Sequence, residues 1–125
     1  MSQMLPKSFL LLVSAVLLSL FSLASAECAN NNNCSDVMVD RIYIDLDDDN
    51  EPAIIYIGTS GDESLLACDA GNYDYIILDS DRQGADLIYS TLLTAQSTAN
   101  PVFIRADTNE VGRCIVNYVV LDRQP

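Results

Sequence analysis

The stretch DSDRQGADLIYSTLLTAQSTANPVFIRAD, Asp79 to Asp107, reads as an amphipathic helix that runs directly into a strand. Ser80 or Asp81 is placed to cap the helix start, because a short side-chain oxygen accepts from the orphan N–H groups of a first turn. Asp79, Asp81 and Asp86 sit near the positive end of the helix dipole. Ala85, Ile88, Leu92, Ala95 and Ala99 recur at intervals of three and four, and Leu87 and Leu93 widen that stripe. Gly84 weakens the first turn by about 1 kcal/mol relative to alanine. Asn100 suits a left-handed position after the helix, Pro101 ends it, and Val102-Phe103-Ile104 opens a strand. One apolar stripe followed at once by a strand reads as the helical plug of a small β-barrel.

Upstream, Val37 to Leu46 alternates, with Met38, Ile42, Ile44 and Leu46 on one side and Val39, Arg41, Tyr43 and Asp45 on the other. Asp40 interrupts the first set. Asp47-Asp48-Asp49-Asn50 is a turn, and Pro52 to Thr59 returns as a strand whose Ile54, Ile55, Tyr56 and Ile57 are dense enough for burial on both faces. The two form an antiparallel hairpin. Thr59 to Glu63 is loop, Leu65 to Cys68 a short apolar piece, Asp69 to Asn72 a turn, and Tyr73 to Leu78 a third strand. After Thr108 to Gly112, Cys114 to Leu121 is the last strand. The order β-β-β-α-β-β predicts a mainly β, disulfide-stapled domain, a five-stranded OB-fold-like Greek-key barrel with the helix capping one end. A five-stranded open sheet covered by the helix is the alternative.

The chain has 125 residues, and the first 26 read as a signal peptide. Lys7 gives the positive start, Phe9 to Leu23 the apolar run, and Ala24-Ser25-Ala26 the cleavage site. Glu27 before Cys28 argues against lipidation. Residues 27–36 form a polar segment with a local disulfide, its asparagine run a flexible loop, and residues 37–125 the OB-fold-like domain. The expected location is secreted or periplasmic, with no membrane span in the exported form. Beyond residue 26 there are five arginines, no lysine and no histidine against 18 carboxylates, a formal charge of −13. Such a surface repels nucleic acid and anionic lipid, and suits a basic partner. Cys28, Cys34, Cys68 and Cys114 allow three pairings, of which Cys28–Cys34 and Cys68–Cys114 are favoured.

Three short segments resemble the binding subunit of subtilase cytotoxin and the small exported proteins related to it. They are Asp49-Asn50-Glu51-Pro52 followed by Ile54-Ile55-Tyr56-Ile57-Gly58, then Ser90-Thr91-Leu92, then Asn100-Pro101-Val102 with Ile104. Ala67-Cys68 ahead of the helix also fits. The resemblance implies an OB-fold, a ring of five subunits, glycan binding and a separate catalytic partner. This chain departs from the pattern in a helix about one turn shorter, and in Arg105-Ala106-Asp107, where the toxin subunit has tyrosines, one of which helps to hold a sugar.

Catalytic chemistry finds little support. Asp45, Asp47, Asp49 and Asn50 suggest the start of a calcium loop, but positions six and twelve, Asn50 and Tyr56, lack the required glycine and glutamate. Asp79 and Asp81 form a conceivable glycosidase pair that capping explains better. Without histidine or a spare thiol, nucleophile schemes fail. Metal and cofactor are therefore expected to be absent. The six tyrosines offer amphipathic rings for recognition. The candidate binding residues are Asp36, Tyr43, Tyr73 and Tyr75. The expected function is a non-enzymatic exported module that binds a glycan or a protein. The alternative is an acidic envelope inhibitor or immunity-like protein that captures a basic enzyme.

Overall fold

The computed structural model describes residues 26–46 and 51–122. The expected signal peptide and the Asp47–Asn50 turn, with most of the calcium-like loop, lie outside the described residues. The described residues hold seven strands, β1 (Glu27–Ala29), β2 (Asn33–Val37), β3 (Val39–Asp45), β4 (Ile54–Thr59), β5 (Ile76–Asp79), β6 (Val102–Thr108) and β7 (Cys114–Val120). One α-helix, α1 (Ala85–Thr98), lies between β5 and β6, and a 3-10 turn covers Glu63–Leu65. The mainly β class, the single helix and both favoured disulfides, Cys28–Cys34 and Cys68–Cys114, are present.

The sheet has seven strands in the order β1-β2-β6-β7-β5-β4-β3, which corrects the expected five. Two local features account for the difference. The Asn30–Asn32 run is a tight turn rather than a loose loop. Asn32 takes the left-handed conformation with φ 63° and its N–H donates to the Ala29 carbonyl at 3.1 Å, which lets β1 fold back on β2 with Cys28 opposite Cys34. The expected strand beginning at Val37 is longer and interrupted once, at Met38. Its first part, β2, pairs with β6, and its second part, β3, pairs with β4. Met38 marks the crossover, its N–H donating to Ser60 Oγ at 2.9 Å while its carbonyl accepts from Ser60 N at 3.0 Å. One nearly continuous run of chain thus serves both sides of the sheet.

The β3–β4 hairpin is antiparallel, with a register shift between Val39 and Arg41. A bulge there turns Val39 into the core, to which the partly buried Ile42 also packs, while Tyr43 stays exposed; Ile44 and Leu46, nearer the end of the strand, are exposed too. β4 continues antiparallel into β5, β5 runs parallel to β7, and β6 pairs antiparallel with β7. The parallel contact requires the crossover that α1 and β6 provide.

Ile57, Ile76, Leu78, Leu92, Ile104 and Val116 are the largest fully buried side chains and tie every layer to one core. α1 buries Ala85, Leu92 and Ala95, with Ile88 and Tyr89 packed at the margin. The stripe is narrower than expected, because Leu87 and Leu93 face outward at 70% and 37% exposure. The helix ends also differ from the reading. Gly84, at φ 85°, rather than Ser80 or Asp81 precedes the first helical residue, and Ala99, not Asn100, takes the left-handed C-terminal position at φ 52°. Asn100 N–H still reaches back to the Ala95 carbonyl at 3.1 Å. No described helix is long and apolar enough to cross a membrane.

Candidate functional site

The outer face of β3, β4 and β5 carries a row of tyrosines. Tyr43 and Tyr56 are direct cross-strand partners in the β3–β4 hairpin, and their rings stack with centroids 5.5 Å apart. Tyr75 directly precedes β5, and its ring tilts against Tyr56 at 5.7 Å. It was expected inside a strand, but the Gly71–Asp74 turn postpones β5 to Ile76. Gly58 makes room for that ring, since a side chain there would meet Tyr75 Cε1 at 3.3 Å. Tyr73 stands on the turn, 80% exposed, with its ring 6.5 Å from Tyr75. Aromatic pairs at these offsets add roughly 0.5–1.5 kcal/mol beyond their buried area.

Arg41 binds this row from β3, with Nη1 donating to the Tyr75 hydroxyl at 3.0 Å. That hydrogen bond is the main reason the guanidinium lies above its ordinary pKa, so Arg41 stays a cation. Behind the Tyr73–Tyr75 wall, Cys68–Cys114 and a bridge between Asp69 and Arg113 fasten the turn to the start of β7. Arg113 Nε donates to the Asp69 carbonyl at 3.2 Å, and its guanidinium lies against Gly71, which holds φ +74°. A positive φ with no space for a Cβ is a position only glycine fills without rearrangement.

Three adjoining openings share Tyr73 and Tyr75. One, of about 370 Å³, has Tyr43 and Tyr56 with Asp45, Asn72 and Arg113. The second, of about 470 Å³, adds Arg41 and Ile42. The third, of about 250 Å³, is bounded by Asp40, Thr59, Glu63 and Asp74. Glu63 is buried at 4% exposure on the 3-10 turn, and one carboxylate oxygen accepts from Thr59 N–H at 2.5 Å and from Thr59 Oγ1 at 2.6 Å. Burial pushes its carboxyl above the ordinary range, against the pull of the Thr59 hydrogen bonds, and Asp74 adds to the rise.

Of the sequence candidates, Tyr43, Tyr73 and Tyr75 come together and Asp36 does not. Asp36 holds a left-handed backbone, φ 51°, at the register shift in β2, and lines a separate cleft of about 300 Å³ with Glu27, Asn31 and Asn33. Tyr56 and Arg41 were missed. Counting back across the expected Asp47–Asn50 turn places Ile54, not Tyr56, opposite Tyr43, so the pair depends on the observed register, and nothing local marks Arg41 as a partner of Tyr75. Ala106 is fully buried, so its side chain faces the core. Asp79 and Asp81 are both exposed around the β5 exit. Among the described residues no group of three or more histidine, cysteine or acidic side chains is arranged to hold a metal. Comparison of the chain with protein-family models, with curated proteins and with solved structures yields no match in any of the three.

Proposed function

We propose that the protein is an exported, non-enzymatic recognition module that binds a glycan or a protein through the tyrosine groove. The observation that carries this reading is the convergence of Tyr43, Tyr56, Tyr73 and Tyr75 with Arg41 on one face. Rigid amphipathic rings give large contact area at low entropic cost, and the cation and hydroxyls supply directional bonds. Two disulfides support an oxidising compartment. The non-catalytic part rests on a chain without histidine whose four cysteines pair with one another.

The strand pairings favour an OB-type barrel as the scaffold. The run β2–Met38–β3 joins strands from opposite ends of the sheet order, and β5 lies parallel to β7. Kinship with toxin binding subunits, and a ring of five, belong to the same proposal. β1, which pairs with β2 on one side, offers an edge for a neighbour. A solution mass near five protomers supports the ring, and a monomer removes it without touching the groove.

The test of the groove is direct. The oxidised protein is applied to glycan and peptide arrays beside its Tyr73→Ala and Tyr75→Ala variants. Ligands retained by the parent and lost by both variants support the reading. Retention unchanged in both variants moves the binding surface elsewhere. The second reading, capture of a basic enzyme, is favoured by the formal charge of −13 beyond residue 26, and predicts binding that weakens steeply with salt.

A further inference from the structure

Resting on the reading that the tyrosine groove is the binding surface, we infer that its ligand is an extended, proline-containing peptide segment with a basic side chain at one end. Four observations lead there. First, the floor of the groove is β4, paired on both sides by β3 and β5, so its backbone groups are already used. A ligand lying over that floor cannot add to β4 as a further strand, so side chains hold it there; the open strand edge is that of β3, at the margin of the groove. Second, those side chains include many donors. Tyr43, Tyr56 and Tyr73, with Arg41, Asn72 and Arg113, line the openings, beside carboxylates at Asp45 and, in the smallest opening, at Asp40, Glu63 and Asp74. A polyproline II segment presents its carbonyls with no internal hydrogen bonds, and proline has no N–H that needs an acceptor.

Third, the shape is that of ridges and slots. Tyr43, Tyr56 and Tyr75 advance in centroid steps of 5.5 and 5.7 Å. The row is comparable in length with one three-residue turn of polyproline helix, about 9 Å. Tyr73 rises beside it and divides the openings, which gives flat pyrrolidine rings faces to pack against.

Fourth, the groove is polar from end to end in charge. The opening bounded by Asp40 and Asp74 is also lined by Arg41, which donates to the Tyr75 hydroxyl, so two exposed carboxylates stand there against one cation. An arginine or lysine of the ligand fits that end. The formal net charge of −12 for the whole chain disfavours an anionic glycan and favours a basic peptide.

The experiment is fluorescence anisotropy on the purified, disulfide-bonded protein. The probes are a labelled peptide of alternating leucine and proline ending in two arginines, the same peptide ending in two glutamates, and a labelled neutral oligosaccharide. The arginine peptide is expected to bind, the glutamate peptide to bind at least tenfold more weakly, and added salt to narrow that gap. Tyr73→Ala and Asp74→Asn should each weaken the arginine peptide by roughly tenfold, the size of one good interface anchor. Both positions are exposed, and asparagine tolerates the left-handed backbone of Asp74, φ 55°, so the fold is retained. Oligosaccharide binding that Tyr73→Ala abolishes, with no peptide binding, overturns the peptide inference and leaves the groove as the site. Peptide binding indifferent to both substitutions overturns the inference and the groove together. Binding of none of the probes overturns the inference.

Discussion

The two disulfides look alike in the sequence and serve different regions. Cys28–Cys34 joins residues six apart inside the β1–β2 hairpin, where ladder pairing on either side already sets the register. Cys68–Cys114 joins residues 46 apart, between a stretch with little regular structure and the start of β7. The first reinforces what local geometry supplies. The second holds the wall of the tyrosine groove, because the Gly71–Asp74 turn has few other anchors than Asp69 and Arg113. A crosslink matters most where secondary structure does least.

The largest expected effect breaks that long-range link. Replacing Cys68 and Cys114 by serine should cost about 4 kcal/mol, the chain-entropy value for a loop of 46 residues. Urea unfolding measures it, and ligand binding at the groove should fall in parallel. The same replacement at Cys28 and Cys34 should cost about 2 kcal/mol, from a loop of six, with groove binding retained. Equal losses of binding in the two double variants would refute the contrast.

A finer cut separates the wall from its anchors. Gly71→Ala should cost more than the roughly 1–2 kcal/mol of a left-handed alanine, because the new Cβ also meets the Arg113 guanidinium. Gly112→Ala, at φ +88° with open space around it, should show the backbone cost alone. Thermal unfolding of the pair gives the difference.

The smallest effect concerns Glu63. Its folded-state pKa is raised by burial, so the folded chain binds more protons than the unfolded chain between the ordinary glutamate value and the raised one. Its contribution is therefore fullest below the ordinary value, and stability falls as pH rises through that window. Glu63→Gln keeps an acceptor oxygen for Thr59 and carries no charge, so it should remove that fall. Denaturant midpoints measured across the carboxylate range check it.

What could be read from the sequence was what near neighbours determine. The β3–β4 hairpin follows from an alternating run and a dense apolar run on either side of an Asp/Asn-rich segment, and the presence of α1, though not its ends, from its apolar stripe. The disulfide pairing followed from spacing. Features set by distant partners were not legible. The asparagine run looks like a loose loop until the Cys28–Cys34 bond and pairing with β6 make it a hairpin. Leu87 and Leu93 look like core until the sheet is seen to cover only the Leu92–Ala95 side. Ser80 and Asp81 look like caps, yet the chain bends once more before Gly84. Tyr43, Tyr73 and Tyr75 could be nominated as sticky residues, but their assembly depends on a register, a delayed strand and the small Gly58.

The crowding of tyrosines has a practical consequence. Four of the six tyrosines line the groove, and the chain has no tryptophan. The protein therefore carries its own optical reporter at the place where binding is proposed. Near-ultraviolet circular dichroism, which depends on fixed aromatic packing, will be dominated by the groove rather than the core. A ligand that reorders these rings will announce itself in that signal without any label.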